Sequence, residues 1–485
     1  TLAATSAEFG IAARDFRVAG FAARLGAPDH VTRLDVAMLD GQLARGGATG
    51  IFGGGAGEIA RVPLLMSGSA GSWTLDGGTL SLQGGLRVAD ADAAPRFTPL
   101  ETRDMAFTLA DNRITAAGSL LHPTTGIQVT KVSIEHNLES GSGQADLAVP
   151  GIAFGEALQP RQLTRFADGV IADVMGTVTG NGQIRWTRDG TKSDGVFRTT
   201  NTDLAAAFGP VTGLSGEIRF TDLLNLESAP GQTATIGIVN PGIPVVQGLV
   251  RYQTLPGGRV VVEGARWPFA GGSLVLEPSV LDFGESHERR LTFRVEGVNA
   301  AQFLQQFDFK NLDATGTFDG ELPMIFNQQG GRIENGRLTV RETGGTIAYV
   351  GELSQEDLGF WGNMAFQALK SLKYRTLAIA LNGPLTGEMI TQVNFAGISQ
   401  GTGAKSNFLI RRLQKLPLVF NVRIQAPFRQ LIDSAQSYYD PRRLIERNLP
   451  ALIDAQNKSI RDRAAPSTKT TADKPVQPPA SEPVP

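Results

Sequence analysis

The sequence feature that most constrains the fold is a strict alternation of apolar and polar residues, clearest between positions 420 and 426. The apolar members of this series are Phe420, Val422, Ile424 and Ala426, and the polar members between them are Asn421, Arg423 and Gln425. Successive side chains of a β-strand point to opposite faces, so this pattern is typical of a strand with one apolar and one polar face. Similar segments recur along the chain, which predicts a mainly β protein.

Glycine-containing turn signals separate these segments. Asp76-Gly77-Gly78 stands between Ser72–Leu75 and Thr79–Leu82, and such a signal between two alternating segments favours a hairpin. Glycine accounts for 58 of the 485 residues, above the usual share of roughly 7%. Segments repeat about every ten residues, a spacing typical of an antiparallel meander.

Composition excludes several classes of function. The formal net charge is −2 and the pI is about 6.2, so the chain lacks the basic excess typical of nucleic-acid binding. There is no cysteine, which excludes disulfides, zinc–thiolate sites and cysteine nucleophiles. No apolar run approaches the ~18 residues of a membrane span. The first residues lack a signal-peptide pattern and resemble the middle of a domain, so we expect a signal or anchor upstream.

The chain is predicted to contain four regions. They are upstream β-meander repeats at 1–172, a second β-rich region at 173–428, C-terminal helices at 429–463, and a disordered Pro-rich tail at 464–485. Apolar residues at helical spacing predict an amphipathic helix at 356–373 that packs on the sheet, or alternatively lies on a membrane surface. A few short helices are expected elsewhere, one of them at 300–307.

Motifs that could support catalysis or metal binding are weak. Gly397–Gly401 matches G-x-S-x-G with Ser399 as the nucleophile, but that motif requires a strand-to-helix turn, and we interpret it as a hairpin loop. The four histidines are scattered, without metal-ligand spacing. Asp319-Gly320 and Asn335-Gly336 are typical of type I′ turns. We expect no enzymatic activity, no metal site and no cofactor.

The apolar faces of the strands are the distributed feature that remains. In a β-sandwich such faces pack on one another. In a curled sheet that does not close, they line a trough for apolar chains. Periodicity alone is compatible with both arrangements.

From about Asp173 to Asp433 the chain resembles the YdbH family, within the wider AsmA-like and TamB-like group. Residues 1–172 resemble the upstream repeats of the family less closely. The resemblance rests on blocks in a shared order, namely Gly176–Gly182 ahead of Trp186, Phe220–Leu224, Ala229–Gln232, Asn240–Pro244, Ala265–Gly272, Ala314–Pro323, Gly336–Leu338 and Gly345–Tyr349.

The resemblance implies a Gram-negative envelope protein that is anchored upstream in the inner membrane and projects through the periplasm. A long, curled antiparallel β-sheet, open like a taco shell, would form a groove in residues 173–428 and pass phospholipid acyl chains toward the outer membrane. With about 20–25 strands spaced 4.8 Å apart, the groove would extend roughly 100–120 Å. A small outer-membrane lipoprotein is the natural partner and would bind an open edge by strand addition.

The candidate groove lining comes from the last three predicted strands. Its members are Leu377, Ile379, Leu381, Val393, Phe395, Phe420, Val422 and Ile424. The assignment depends on register, because a slip of one residue exchanges the two faces of a strand.

The sequence is also compatible with other functions. One is a non-conducting, β-rich envelope scaffold that tethers partners, and another is a hydrolase that uses Ser399. The family has also been labelled a dicarboxylate transporter, but the sequence shows neither a basic pocket nor membrane spans to support that label.

Overall fold

The computed structural model consists mainly of antiparallel β-strands. It describes residues 2–3, 6–9, 15–25, 32–44, 46–59, 63–167, 170–206, 209–240, 244–283, 288–306, 312–327, 330–349, 371–385, 388–397, 399–400 and 420–427. The structural statements that follow concern these residues.

The strands follow one another with short connections. The first group is β1 (Leu2–Ala3), β2 (Ser6–Phe9), β3 (Asp15–Leu25), β4 (Thr32–Ala44), β5 (Gly47–Ile59), β6 (Leu64–Asp76), β7 (Thr79–Asp90), β8 (Leu100–Ala110), β9 (Arg113–Leu121), β10 (Gln128–Asn137) and β11 (Ser142–Phe154). The second is β12 (Ile171–Trp186), β13 (Thr191–Ala206), β14 (Gly209–Asp222), β15 (Glu227–Ser228), β16 (Gln232–Val239), β17 (Val245–Leu255), β18 (Arg259–Phe269), β19 (Gly272–Leu276), β20 (Ser279–Asp282) and β21 (Arg289–Asn299). The third is β22 (Leu312–Thr315), β23 (Thr317–Asn327), β24 (Gly330–Val340), β25 (Gly345–Tyr349), β26 (Ser371–Tyr374), β27 (Thr376–Pro384), β28 (Glu388–Ala396), β29 (Ser399–Gln400) and β30 (Phe420–Pro427).

Twenty-six of these strands form one sheet and four form a second. Most strands of the large sheet pair antiparallel with the strands next to them in the chain, as a meander does. Within the described ranges, β1 and β2 pair only with β3, and β30 pairs only with β28, so the two ends of the sheet do not pair with each other. The predicted mainly β, open antiparallel sheet is confirmed.

The turn predictions have mixed outcomes. Asp76 pairs with Thr79 across Gly77 and Gly78, whose φ angles of 54° and 88° suit a tight hairpin turn. Asp319-Gly320 and Asn335-Gly336, by contrast, lie inside β23 and β24, so their prediction as turns is wrong. Asn335 has a φ of 57° where the registers of β24 shift, which is the conformation of a bulge.

Some of the glycines inside strands lie under aromatic rings. Gly143 is the cross-strand partner of Trp186, and a Cβ atom there would lie 2.6 Å from the indole ring. A Cβ atom on Gly248 would lie 2.0 Å from Nε1 of Trp267, whose side chain is buried. An indole ring can lie flat on the neighbouring strand only where that strand has no side chain, so part of the high glycine content belongs to strand interiors.

The substitution Gly248→Ala tests this packing. We expect it to destabilise the protein by about 1–3 kcal/mol, because the buried indole has no room to move away from the new methyl group. Gly53→Ala is the matched control, since a Cβ there meets nothing within 4 Å. Urea unfolding followed by tryptophan fluorescence measures both, and equal destabilisation of the two variants would contradict the packing argument.

Four neighbouring strands of the large sheet bend at the same level, and their continuations form the small sheet. The breaks fall at Gly316, at 341–344, at Arg375 and after Ala396, and the small sheet has the order β22-β25-β26-β29. Gly316 and Gly344 have φ angles of 125° and 64°, which side chains rarely allow. Beside the bend, within the small sheet, the Tyr374 hydroxyl donates a hydrogen bond of 2.7 Å to the Thr315 carbonyl.

The helix predictions are confirmed in part. The short helix α1 spans Ala300–Gln306, close to the predicted 300–307. The predicted helix at 356–373 is wrong at its end, because Ser371–Tyr374 is strand β26, and the rest of it lies outside the described residues. Regions 429–463 and 464–485 also lie outside them.

Candidate functional site

Strand registers connect apolar positions into rows that cross many strands. One row of cross-strand partners runs through Trp73, Leu82, Phe107, Ala116, Ile134, Ala145 and Ile184. A second runs through Trp267, Leu274, Val295, Gly320, Leu338, Ile379, Val393 and Val422. Cross-strand partners share a face of the sheet. Ala234, Val250 and Ala265 continue that face between the two rows. We call it the apolar face.

The opposite face carries charged pairs. Arg198 and Glu217 are cross-strand partners with an Nε–Oε2 distance of 2.6 Å, and an Arg266 guanidinium nitrogen lies 2.7 Å from a carboxylate oxygen of Glu296. Exposed pairs of this kind contribute at most about 1 kcal/mol each. Their main consequence is that this face is well solvated, so the two faces of the sheet differ in polarity.

Exposure of the apolar face varies along the sheet. Leu82, Phe107 and Ile134, on β7, β8 and β10, are half-buried. Trp267, Phe293 and Val295, on β18 and β21, are 4–5% exposed. The face is therefore partly accessible at β7 to β10, although Trp73 on β6 is buried, whereas its centre is filled by the protein's own side chains.

The large sheet curls far enough for distant strands to touch. Leu64 at the start of β6 and Leu224 after β14 pack in the same cluster as Ala145 and Ile184, although β7 to β13 lie between β6 and β14 in the sheet. Such contact requires the sheet to turn its apolar face inward. The curled sheet predicted from the family resemblance is thus present in this section.

A loop folds onto the apolar face between β11 and β12. This loop contains the short 3-10 turns Pro160–Gln162 and Arg165–Ala167. Its Leu158 is completely buried and packs with Val149 and Ile152, and Leu163 packs against the same cluster. The chain therefore covers part of its own apolar face here.

The predicted lining residues lie close together in register. Leu377 pairs with Phe395, and Ile379 pairs with Val393. On its other side, β28 pairs with β30 through Phe395–Phe420, Val393–Val422 and Thr391–Ile424. For the three residues of β30 only the backbone is described. Leu381 pairs with Gly336 and Thr391 at the end of the set. The role of the eight predicted residues as a groove lining remains a prediction.

The small sheet covers part of this set. Ala314 on β22 and Tyr374 on β26 share a cluster with Leu377, and Ile379, Val393 and Phe395 pack against that cluster. Leu377 is 7% exposed. The C-terminal part of the apolar face is thus partly covered by the bent strands, and Ile379, Val393 and Phe395 are half-buried.

Sequence reasoning missed the accessible part of the apolar face. Leu82 and Phe107 lie in β7 and β8, in the region for which no lining was predicted. The signal was present, since Leu80-Ser81-Leu82 alternates as clearly as the segment at 420–426.

A buried ion pair fixes the loop between β7 and β8. The Arg96 Nε and Nη2 atoms donate hydrogen bonds of 2.7 and 3.0 Å to the two carboxylate oxygens of Asp90, whose side chain is fully buried. Burial alone would raise the pKa of Asp90, but hydrogen bonds from the side chain and backbone of Arg96 and from the Asp92 N–H outweigh it and lower the pKa to about 2. The carboxylate is therefore charged near neutral pH.

This pair predicts a loss of stability in acid. The folded-state pKa of about 2 lies below the ordinary 3.8, so the stabilisation is complete above about pH 4 and is lost as the pH falls through about 2. Asp90→Asn should cost about 3 kcal/mol at neutral pH, because Arg96 loses its charged partner. Urea unfolding of both proteins should show this difference shrinking toward pH 2, and a difference independent of pH would contradict the assignment.

Among the described residues, histidines and carboxylates are not grouped into a metal site, and the candidate nucleophile Ser399 lies in a strand. Ser399 lies in β29 and pairs with Lys373, so its interpretation as part of a hairpin loop is wrong.

The histidines make local contacts. The His122 Nδ1 atom lies 3.0 Å from the Thr125 hydroxyl, and Nδ1 of His136 accepts a hydrogen bond of 3.1 Å from Trp186. His30 and His287 lie outside the described residues. Among those described, no three His, Asp or Glu side chains are grouped to hold a metal ion. No helix in the same part of the chain is long and apolar enough to cross a membrane.

Comparison with known proteins identifies the family. A family model described as "YdbH-like: Intermembrane phospholipid transport protein YdbH" matches residues 2–450. The match therefore includes residues 2–172, which resemble the family less closely in sequence. Neither a curated protein nor a solved structure gives a significant match. A match over nearly the whole chain shows that this protein belongs to the YdbH-like family of intermembrane phospholipid transport proteins.

Proposed function

We propose that this protein is a bridge that carries phospholipids through the periplasm between the inner and outer membranes, with their acyl chains along the apolar face. The observation that carries the proposal is that two apolar rows, from Trp73 on β6 to Ile184 on β12 and from Trp267 on β18 to Val422 on β30, lie on one face of the sheet. An acyl chain needs a continuous apolar track, because each methylene sheltered from water contributes about 0.8 kcal/mol. The charged opposite face would remain in water.

The half-buried section at β7 to β10 is the proposed lipid-binding part of the track. Leu82, Phe107 and Ile134 leave accessible apolar surface there, unlike the buried centre of the sheet. Leu377, Ile379, Val393 and Phe395 stay in the proposed track at its C-terminal end. A lipid would reach them only where it replaces the contacts made by the small sheet.

The last strand is the proposed binding site for a partner. Within the described ranges, β30 pairs on one side with β28, and an edge strand can accept a further strand through its backbone groups. A small outer-membrane lipoprotein that adds a strand here would connect the track to the outer membrane.

A second candidate function is a non-conducting envelope scaffold. The observation in its favour is the nearly complete burial of Trp267, Phe293 and Val295, because a lipid at the centre of the sheet would have to displace the side chains that cover them. A scaffold needs the charged face and the open edge, but it does not need accessible apolar surface on β7 to β10.

Native mass spectrometry and lipid extraction of the purified protein distinguish the two functions. We expect phospholipid to co-purify with the protein and to transfer to acceptor vesicles. Protein that is free of lipid, takes none up from vesicles and is fully folded would contradict lipid carriage and favour the scaffold.

A further inference from the structure

A cleft with two arginines lies where two loops meet. It encloses about 380 Å³ and is lined by Pro95, Phe97, Thr98, Pro99, Arg161 and Arg165. The first four residues belong to the connection between β7 and β8, and the arginines belong to the loop between β11 and β12. Most of the lining is apolar, so the cleft combines an apolar wall with two cationic groups.

Hydrogen bonds between the two loops hold the cleft together. The Thr98 N–H donates a hydrogen bond of 2.9 Å to the Leu163 carbonyl, and the Thr98 hydroxyl donates one of 2.6 Å to the Gln162 carbonyl. The Thr164 hydroxyl donates a hydrogen bond of 2.6 Å to the Arg96 carbonyl. The bonded residues 162–164 lie between Arg161 and Arg165 in sequence, so the backbone that presents both guanidinium groups is fixed.

Among the described residues, the two arginines have no carboxylate partner, unlike their neighbour Arg96. Arg96 is neutralised by Asp90 at 2.7 Å. Arg161 and Arg165 form no ion pair with the described residues, and the Arg165 guanidinium lies 4.8 Å from the centre of the Phe166 ring. Within the described part of the chain no carboxylate neutralises these two arginines, and two guanidinium groups that line one cleft favour an anion.

The cleft adjoins the apolar face. Leu163 lies between the two arginines in sequence and packs against the cluster formed by Val149, Ile152 and Leu158. A phospholipid has the same arrangement of chemistry, since its phosphate is joined through glycerol to apolar chains.

We propose that Arg161 and Arg165 bind the phosphate group of a phospholipid whose acyl chains lie on the apolar face beside Leu163. This inference rests on the proposed function and adds a headgroup site to it. Arginine suits this task because its planar guanidinium donates two parallel hydrogen bonds to phosphate oxygens. The apolar wall formed by Pro95, Phe97 and Pro99 would shelter the glycerol end of the chains.

The test uses the whole chain with Arg161 and Arg165 both replaced by Gln. Binding of short-chain phosphatidylglycerol, of diacylglycerol with the same chains, and of inorganic phosphate alone is measured by calorimetry. The matched control is Arg113→Gln with Lys131→Gln, which removes two exposed charges outside the cleft. We expect the cleft variant to bind phosphatidylglycerol at least tenfold more weakly, to bind diacylglycerol as before, and to match the control in thermal stability.

Other outcomes would overturn the headgroup site. Unchanged phosphatidylglycerol binding in the cleft variant would refute it while leaving lipid carriage intact. Equal weakening in the control variant would show that net charge, not the cleft, governs binding. Tight binding of inorganic phosphate that the cleft variant loses, without a change for phosphatidylglycerol, would assign the cleft to free phosphate. Wild-type protein that binds no lipid of either kind would instead refute the proposed function.

Discussion

Replacing Leu82 with aspartate should reduce the phospholipid that co-purifies with the protein by about tenfold or more, a loss of at least ~1.4 kcal/mol in binding. Leu82 lies on the accessible part of the apolar face, opposite Phe107 on the neighbouring strand. A charged carboxylate there would have to be desolvated by an acyl chain without any partner, which is costly. Leu82 is half-buried and packs against the cluster of Phe52 and Trp73, so the change should also cost some stability.

Gln83→Asp is the matched control for this variant. Gln83 follows Leu82 in the same strand and is exposed on the opposite face, so the same carboxylate there should leave bound lipid unchanged. Lipid extraction measures both variants, and circular dichroism verifies their folding. If Leu82→Asp unfolds, Phe107→Ser replaces it. Equal lipid content in both variants of a folded pair would contradict lipid binding on this face.

The largest effect on stability is expected from Phe293→Ala, at about 3–5 kcal/mol. Phe293 is 5% exposed, and its ring centre lies 6.2 Å from that of Trp267. Removing the ring leaves a cavity that the strands on both sides cannot fill, because their backbones are fixed by the sheet. Urea unfolding measures the loss of free energy.

Arg294→Ala is the control in the same strand. Its side chain is 46% exposed and forms an ion pair of 2.9 Å with Glu296 on the charged face. Loss of such a pair should cost at most about 1 kcal/mol. Comparable costs for the two variants would show that the centre of the sheet is not a packed core.

The sequence predicted the class of the fold because strand periodicity is a local property. Alternation and an Asp-Gly-Gly signal were sufficient to identify the hairpin at Asp76–Thr79 and the antiparallel meander. They could not reveal that Asn335 lies in a bulge, since Asn-Gly has the same backbone preference in a turn and in a bulge. The position of Ser371–Tyr374 in a strand depends on its partners β25 and β29, which are distant in sequence.

The candidate site was predictable only as a pattern. Alternation indicates that Leu377 and Ile379 share a face, and the register joins them to Phe395 and Val393. Coverage of that face by the small sheet arises from a bend in four separate strands, which no single segment encodes. The cleft at Arg161 and Arg165 likewise depends on two loops that meet only in the folded chain.

Lipid crosslinking along one strand tests the central claim most directly. A photoreactive benzoylphenylalanine is placed in turn at Lys131, Val132, Ser133, Ile134, Glu135 and His136 of β10, where half-buried and exposed positions alternate. Lipid carriage on the apolar face predicts phospholipid crosslinks at Val132, Ile134 and His136 and none at the three positions between them. Crosslinks that show no alternation, or that occur only at the exposed positions, would contradict it.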